Sequence, residues 1–171
     1  APPARPVLPD PPTTKPRLGQ VEFVALMATL FSTIAFSIDA MLPALPEIAA
    51  ELTPDAPNRA QLIVTSFVLG MGLGTLVTGP LSDAFGRKPV ILGGAALYIT
   101  GSALAWAAQS LELVLAARVV QGLGAAGPRV VAIAVIRDLF AGRTMARIMS
   151  FVMLIFTLIP AFAPTLGAGI I

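Results

Sequence analysis

The sequence contains no cysteine and no histidine. These absences exclude disulfides, thiol nucleophiles, Cys/His metal sites and imidazole acid–base chemistry within it. Charge is scarce too: 12% of the 171 residues are Asp, Glu, Lys or Arg, against 56% apolar. That balance argues against a soluble globular class. Proton chemistry must fall on carboxylates or on the single tyrosine, Tyr98. No credible catalytic set appears, so an enzyme is not expected, nor is a metal or an organic cofactor. An isoelectric point near 9.7 would suit nucleic acid only if the basic residues gathered on one soluble face. They are spread between apolar segments instead, and no nucleic-acid partner is expected.

What the sequence does have is long uncharged runs. Residues 60–82, 89–111 and 148–171 contain no Asp, Glu, Lys or Arg. An α-helix of about 20 residues crosses the hydrocarbon layer. The expected fold class is all-α, a polytopic membrane helix bundle with the lipid bilayer as its solvent. Five helices are expected at about 22–43, 60–82, 89–110, 112–136 and 147–171. Residues 1–20 carry seven prolines and read as a disordered tail; residues 21–171 form the domain. A cleavable signal peptide is not expected, because no small-residue cleavage site follows a short apolar core.

Pro43 and Pro46 end the first helix, and Glu47, Glu51 and Asp55 form an acidic loop to Arg59. Gly70 and Gly74 share one helix face that suits close helix contact. Trp106 reads as an interface anchor. Eight of the eleven Lys and Arg lie in the tail, at 83–89 or at 137–147. The positive-inside rule places those segments, and the N-terminus, in the cytoplasm.

The most informative stretch is Gly79-Pro80-Leu81-Ser82-Asp83-Ala84-Phe85-Gly86-Arg87-Lys88-Pro89, a charged hairpin turn between two apolar runs. Gly79 removes a side chain where a neighbour can approach, Gly86 supplies the reversal, and Pro89 suits the first turn of the next helix. Asp83 faces Arg87 and Lys88 within one short loop, and Arg137-Asp138 emerges on the same side, so Asp83, Arg87, Arg137 and Asp138 are expected to cluster. The plainer alternative is a solvated loop whose basic residues only set topology.

Ionisable groups inside the spans are costly and usually face a cavity or a partner. Asp39 is expected roughly 6 Å inside the outer end of helix 1, and Arg118 roughly 8 Å inside helix 4, at a rise of about 1.5 Å per residue. Matching depths predict that they face each other. Asp39 as a helix-end residue reaching interfacial water remains a second reading. Ser32, Phe36 and Asp39 share one helix face, which suits an amphipathic substrate and equally a generic pore lining. Gln121 lies one turn from Arg118. Arg129 returns nearly to the same face, where it either lines the cavity or snorkels to the interface. Gly122-Leu123-Gly124-Ala125-Ala126-Gly127 fits the dinucleotide-binding glycine pattern in letters only, since no strand precedes it and no suitable acid follows. Its glycines are expected to thin the helix for packing, with Pro128 a possible kink site.

Gly79-x-Leu81-x-Asp83-x-x-Gly86-Arg87-Lys88 resembles the loop between helices 2 and 3 of major facilitator superfamily transporters. Arg118-x-x-Gln121-Gly122 is similar to the helix-4 motif of the proton-coupled members. Asp39-Ala40-Met41-Leu42-Pro43-Ala44-Leu45-Pro46 resembles the end of helix 1 in the bicyclomycin-resistance type of drug:proton antiporter. Pro160, Pro164 and Gly167 stand where that branch's variant of the helix-5 antiporter motif has them, with Ala163 and Ala168 departing from the wider pattern. The resemblance implies an incomplete N-terminal half of a major facilitator fold, inactive without the C-terminal half. It implies drug efflux by alternating access across a bacterial inner membrane, with the proton as coupling ion and a small amphipathic drug-like substrate. Asp39 and Arg118 would couple protons; Ser32, Phe36, Gln121 and Arg129 would line the substrate cavity. Gly79, Asp83, Gly86, Arg87, Lys88, Arg137 and Asp138 would form the gate. A sugar or organic-acid symporter of the same superfamily is the first alternative, and a non-transporting membrane scaffold or receptor the second.

Overall fold

The computed structural model describes residues 19–168; the 1–18 tail and residues 169–171 lie outside the described residues. Six α-helices and two 3-10 turns make up the described chain: α1 Gln20–Asp39, α2 Leu45–Leu52, α3 Leu62–Phe85, α4 Arg87–Ala107, α5 Leu111–Leu139 and α6 Gly142–Ala168. The protein is all-helical. By length and composition, Val21–Leu52, Pro57–Phe85, Arg87–Ala107 and Leu111–Leu139 can each cross a membrane. Helix α6 is of comparable length, at 27 residues.

Two expected boundaries move, for stated reasons. Helix α1 ends at Asp39, not near residue 43. A proline ring meets the carbonyl four residues before it, so Pro43 stops a regular helix at Asp39. The expected acidic loop is largely helix α2, with Pro46 in its first turn, where a missing N–H is harmless. Its Leu45, Ile48 and Leu52 pack over Ile63, Leu111 and Val114 and close one end of the bundle.

The 79–89 hairpin shrinks to one residue. Helix α3 runs through Pro80 to Phe85, and only Gly86, at φ 90° and ψ 167°, breaks the path before α4. That dihedral lies in the region open to glycine and strained for other residues. Connections this short force antiparallel neighbours. The 86 and 140–141 connections therefore share one side of the bundle with the start of α1, and the 108–110 connection shares the other with α2.

Helix α5 is the hub, with 61% of its most apolar window buried, against 28% for the α3 segment and 11% for α4. Lipid is as apolar as leucine, so close backbone approach has to hold such helices together. A side chain at Gly74 would lie 2.8 Å from Ala126 Cβ, and one at Gly122 would overlap the Phe67 carbonyl of α3. On the other flank a side chain at Gly101 would lie 2.6 Å from the Gln121 nitrogen, and one at Gly94 2.8 Å from the Gly124 carbonyl. The glycine-rich run of α5 is thus a packing surface for α3 and α4 together. Pro128 is buried inside α5, which continues past it to Leu139. Gly79 behaves otherwise: nothing lies within 4 Å of a side chain built there, so no neighbour approaches it.

Helix α1 packs on α6 and α5 through Phe23, Met27 and Phe31 against Ala132, Ile136, Ile148 and Val152. Leu69, Leu73, Leu76, Leu92 and Ile99 point outward and exposed, as suits helices surrounded by acyl chains.

Candidate functional site

Arg118 reaches from α5 toward the end of α1 and the far half of α4. Its Nη1 donates to Gln121 Oε1 at 2.8 Å, and Nη2 lies against Met41 Sδ. Nε is buried with no partner. Gln121 Nε2 donates to Ser102 Oγ at 2.7 Å, and Ser102 Oγ donates to the Tyr98 carbonyl at 2.9 Å. The amide orientation of Gln121 is fixed by this pattern, since only its oxygen can accept from the guanidinium. Arg118, Gln121 and Ser102 line a cavity of about 520 Å³ together with Met41, Glu51 and Trp106.

A second short chain joins the same helices. Ser37 Oγ donates to the Thr33 carbonyl at 2.6 Å and contacts the Tyr98 hydroxyl. Ser37 has one proton, already spent on Thr33, so Tyr98 is the donor between them.

The expected Asp39–Arg118 pairing is not made. Among the described residues no ion pair joins them; the ion pairs present are Arg59–Glu112, Arg87–Asp83 and Arg87–Asp138. Asp39 is the last residue of α1. The half-buried Asp39 is two residues from Met41, whose sulfur occupies the place expected for its carboxylate. Of the expected cavity residues, only Gln121 joins Arg118. Ser32 is buried with an unpartnered hydroxyl, Phe36 is 39% exposed, and Arg129 Nη1 lies 4.0 Å from Met71 Sδ on α3.

The basic face is built around Arg87. Its Nη1 donates to Asp83 Oδ1 at 2.9 Å and to Ser82 Oγ at 2.7 Å. Its Nη2 and Nε donate to Asp138 Oδ2 at 3.0 and 3.3 Å. One planar guanidinium thereby ties the end of α3, the start of α4 and the end of α5, a use suited to arginine's rigid fork. Three of the four expected members meet here. Arg137 is exposed and, like Lys88, makes no ion pair among the described residues. Pro160, Pro164 and Gly167 lie within α6, which runs on to Ala168; their side chains lie outside what is described. Among the described residues no cluster of three acidic side chains could hold a metal ion.

Sequence reasoning passed over Met41, Ser37, Ser82 and Ser102. Serines that bond within the fold carry no pattern in one sequence. Met41 carries no charge to mark it.

Long apolar helices around a glycine-packed hub, with an ionic cluster joining three of them, define a multi-pass helical membrane protein. The chain belongs to the Major Facilitator Superfamily, whose sequence model matches residues 25–171. It is 36% identical over 149 residues to a bicyclomycin resistance protein homolog of Haemophilus influenzae, covering 87% of this chain and 37% of that protein. It is 34% identical over 160 residues to the uncharacterized MFS-type transporter YdgK of Bacillus subtilis, covering 94% and 39%. With the multidrug resistance protein MdtL of Escherichia coli the identity is 41% over 132 residues, covering 76% and 33%. The chain therefore spans between 33% and 39% of the length of these relatives.

Proposed function

We propose that this chain is part of a longer transporter that expels amphipathic drug-like molecules across a bacterial inner membrane in exchange for protons. The names of the relatives, bicyclomycin resistance and multidrug resistance, support the substrate class. Eight of eleven Lys and Arg fall in the tail, at 83–89 or at 137–147, which supports a cytoplasmic N-terminus and basic face.

The observation that carries proton coupling is Arg118. Its guanidinium is held by neutral partners only, Gln121 and Met41, on the wall of a cavity. An interior cation without an anion is an open electrostatic demand. Asp39, two residues from Met41, is the nearest carboxylate along α1 that can answer it by a small movement. Ionised Asp39 would favour the arrangement in which it approaches Arg118; protonated Asp39 would favour release. The two protonation states would thereby weight the two access states differently, which is what coupling requires. The remaining polypeptide would supply the other half of the pathway, with rocking about a midplane site. Ser32, Phe36 and Arg129 would contribute to the substrate face, and Arg87 with Asp83 and Asp138 would latch the inner gate.

Everted membrane vesicles carrying the full-length protein test this reading. Adding an amphipathic cationic dye should dissipate a preformed pH gradient, and Asp39→Asn should reduce that response to background at unchanged protein level. Dye movement indifferent to an uncoupler, or unchanged by Asp39→Asn, would overturn it.

A further inference from the structure

We infer that Tyr98 is a positioning residue that ties the Arg118 site on α5 to the end of α1, on which Asp39 sits. This rests on the antiport reading above and adds to it a residue and a path.

Among the described residues, two hydrogen-bond chains meet at Tyr98. The first runs from Arg118 through Gln121 and Ser102 to the Tyr98 carbonyl. The second runs from the Tyr98 hydroxyl through Ser37 to the Thr33 carbonyl. The proton directions agree throughout. Each serine donates to a backbone carbonyl and accepts from the preceding group, so neither chain contains a conflict that would let it reverse. The ring packs against the buried cluster of Ile34, Phe67 and Ala125. A phenol fixed by packing transmits displacement better than a flexible side chain, because it has two torsions to absorb it. Ser37 lies two residues before Asp39, at the last turn of α1.

The consequence is a mechanical one. A shift of Arg118 toward or away from a carboxylate moves Gln121, then Ser102 and α4, and through the Tyr98 hydroxyl the last turn of α1. The position of the Asp39 carboxyl thus follows that of the cation it answers to. The charged groups around this junction are Arg118 on α5, Asp39 on α1, Glu51 of α2 on the cavity wall, and Arg129 of α5, whose Nη1 lies 4.0 Å from Met71 of the cluster that Tyr98 packs against. Helix α3 contributes none between 62 and 82.

Tyr98→Phe removes only the hydroxyl. It strands no buried donor, because Ser37 keeps its bond to Thr33. The ring packing stays, so the protein should fold. In full-length protein the pH midpoint of drug-dependent proton movement should shift by about one unit, with the maximal rate within about twofold of wild type. Ser37→Ala should give the same shift, and the double variant no more than either single one. Independently of transport, hydrogen exchange of purified protein should rise several-fold at residues 37–44 in Tyr98→Phe and stay unchanged in α6. Additive shifts, a lowered maximal rate with an unmoved pH midpoint, or unchanged exchange at 37–44 would each overturn the tether. A wild-type protein that moves drug with no pH dependence would instead remove the antiport reading, and the exchange measurement would still decide the tether.

Discussion

Arg87 shows what a single side chain does here. Its bonds to Asp83 and Asp138 are exposed to solvent, and such pairs contribute little to stability. The value of the cluster lies in what it connects, since one side chain joins the end of α3, the start of α4 and the end of α5. Arg87→Lys keeps the charge but not the fork, so it can serve one carboxylate at a time. Thermal unfolding in detergent should change little, while efflux by the full-length protein falls several-fold. Lys88→Ala, which removes an exposed side chain without an ion pair among the described residues, should leave both near wild type. Equal losses of efflux in the two variants would show that net charge, and not the three-helix contact, is what matters.

At the scale of the element, the bundle depends on how closely α5 approaches α3 and α4. Gly122→Ala would drive a methyl group into the Phe67 backbone carbonyl, where no side chain can move aside. Helices α3 and α5 must then separate, at a cost of about 1–3 kcal/mol. Gly72→Ala, on the same pair of helices, meets nothing within 4 Å and gains up to about 1 kcal/mol of helix propensity. Melting measured by size-exclusion fluorescence should separate the two variants in opposite directions. A Gly122→Ala protein as stable as wild type would mean that the backbones are not in contact. This packing was legible in the sequence, because small residues four apart on an uncharged helix have few other uses. The spans were legible for a similar reason: absence of charge over 23 residues is a physical requirement of lipid. Helix α2 was not, although Leu45, Ile48, Ala49 and Leu52 follow a helical spacing, since Pro43 and Pro46 read as terminators when one of them in fact opens the helix. The Asp39–Arg118 pairing failed for another reason: α1 ends at Asp39, and Met41, two residues on and with no electrostatic signature, takes the contact with Arg118.

For the molecule as a whole, the alternation of helices divides its charges between two faces. Arg87, Lys88, Arg137, Arg143 and Arg147 sit on the side of Gly86, and Arg59 sits on the side of α2. The Arg118 cavity is lined by Glu51 and Leu52 of α2, so it opens on the face with little positive charge. If basic loops stay in the cytoplasm, that cavity meets the outer medium, the side from which protons enter an energised cell. Orientation and the direction of coupling are therefore one question. The chain has no cysteine, so Asn58→Cys and Arg143→Cys each add a single thiol to it, at exposed positions on opposite faces. A membrane-impermeant maleimide should label the Asn58→Cys protein in intact cells and the Arg143→Cys protein only in everted vesicles. The reverse pattern would put the Arg118 cavity on the proton-poor side. Protons entering from the outer medium would then meet the basic face and not the Arg118 cavity, and outward drug movement driven by proton entry through that cavity would lose its physical basis.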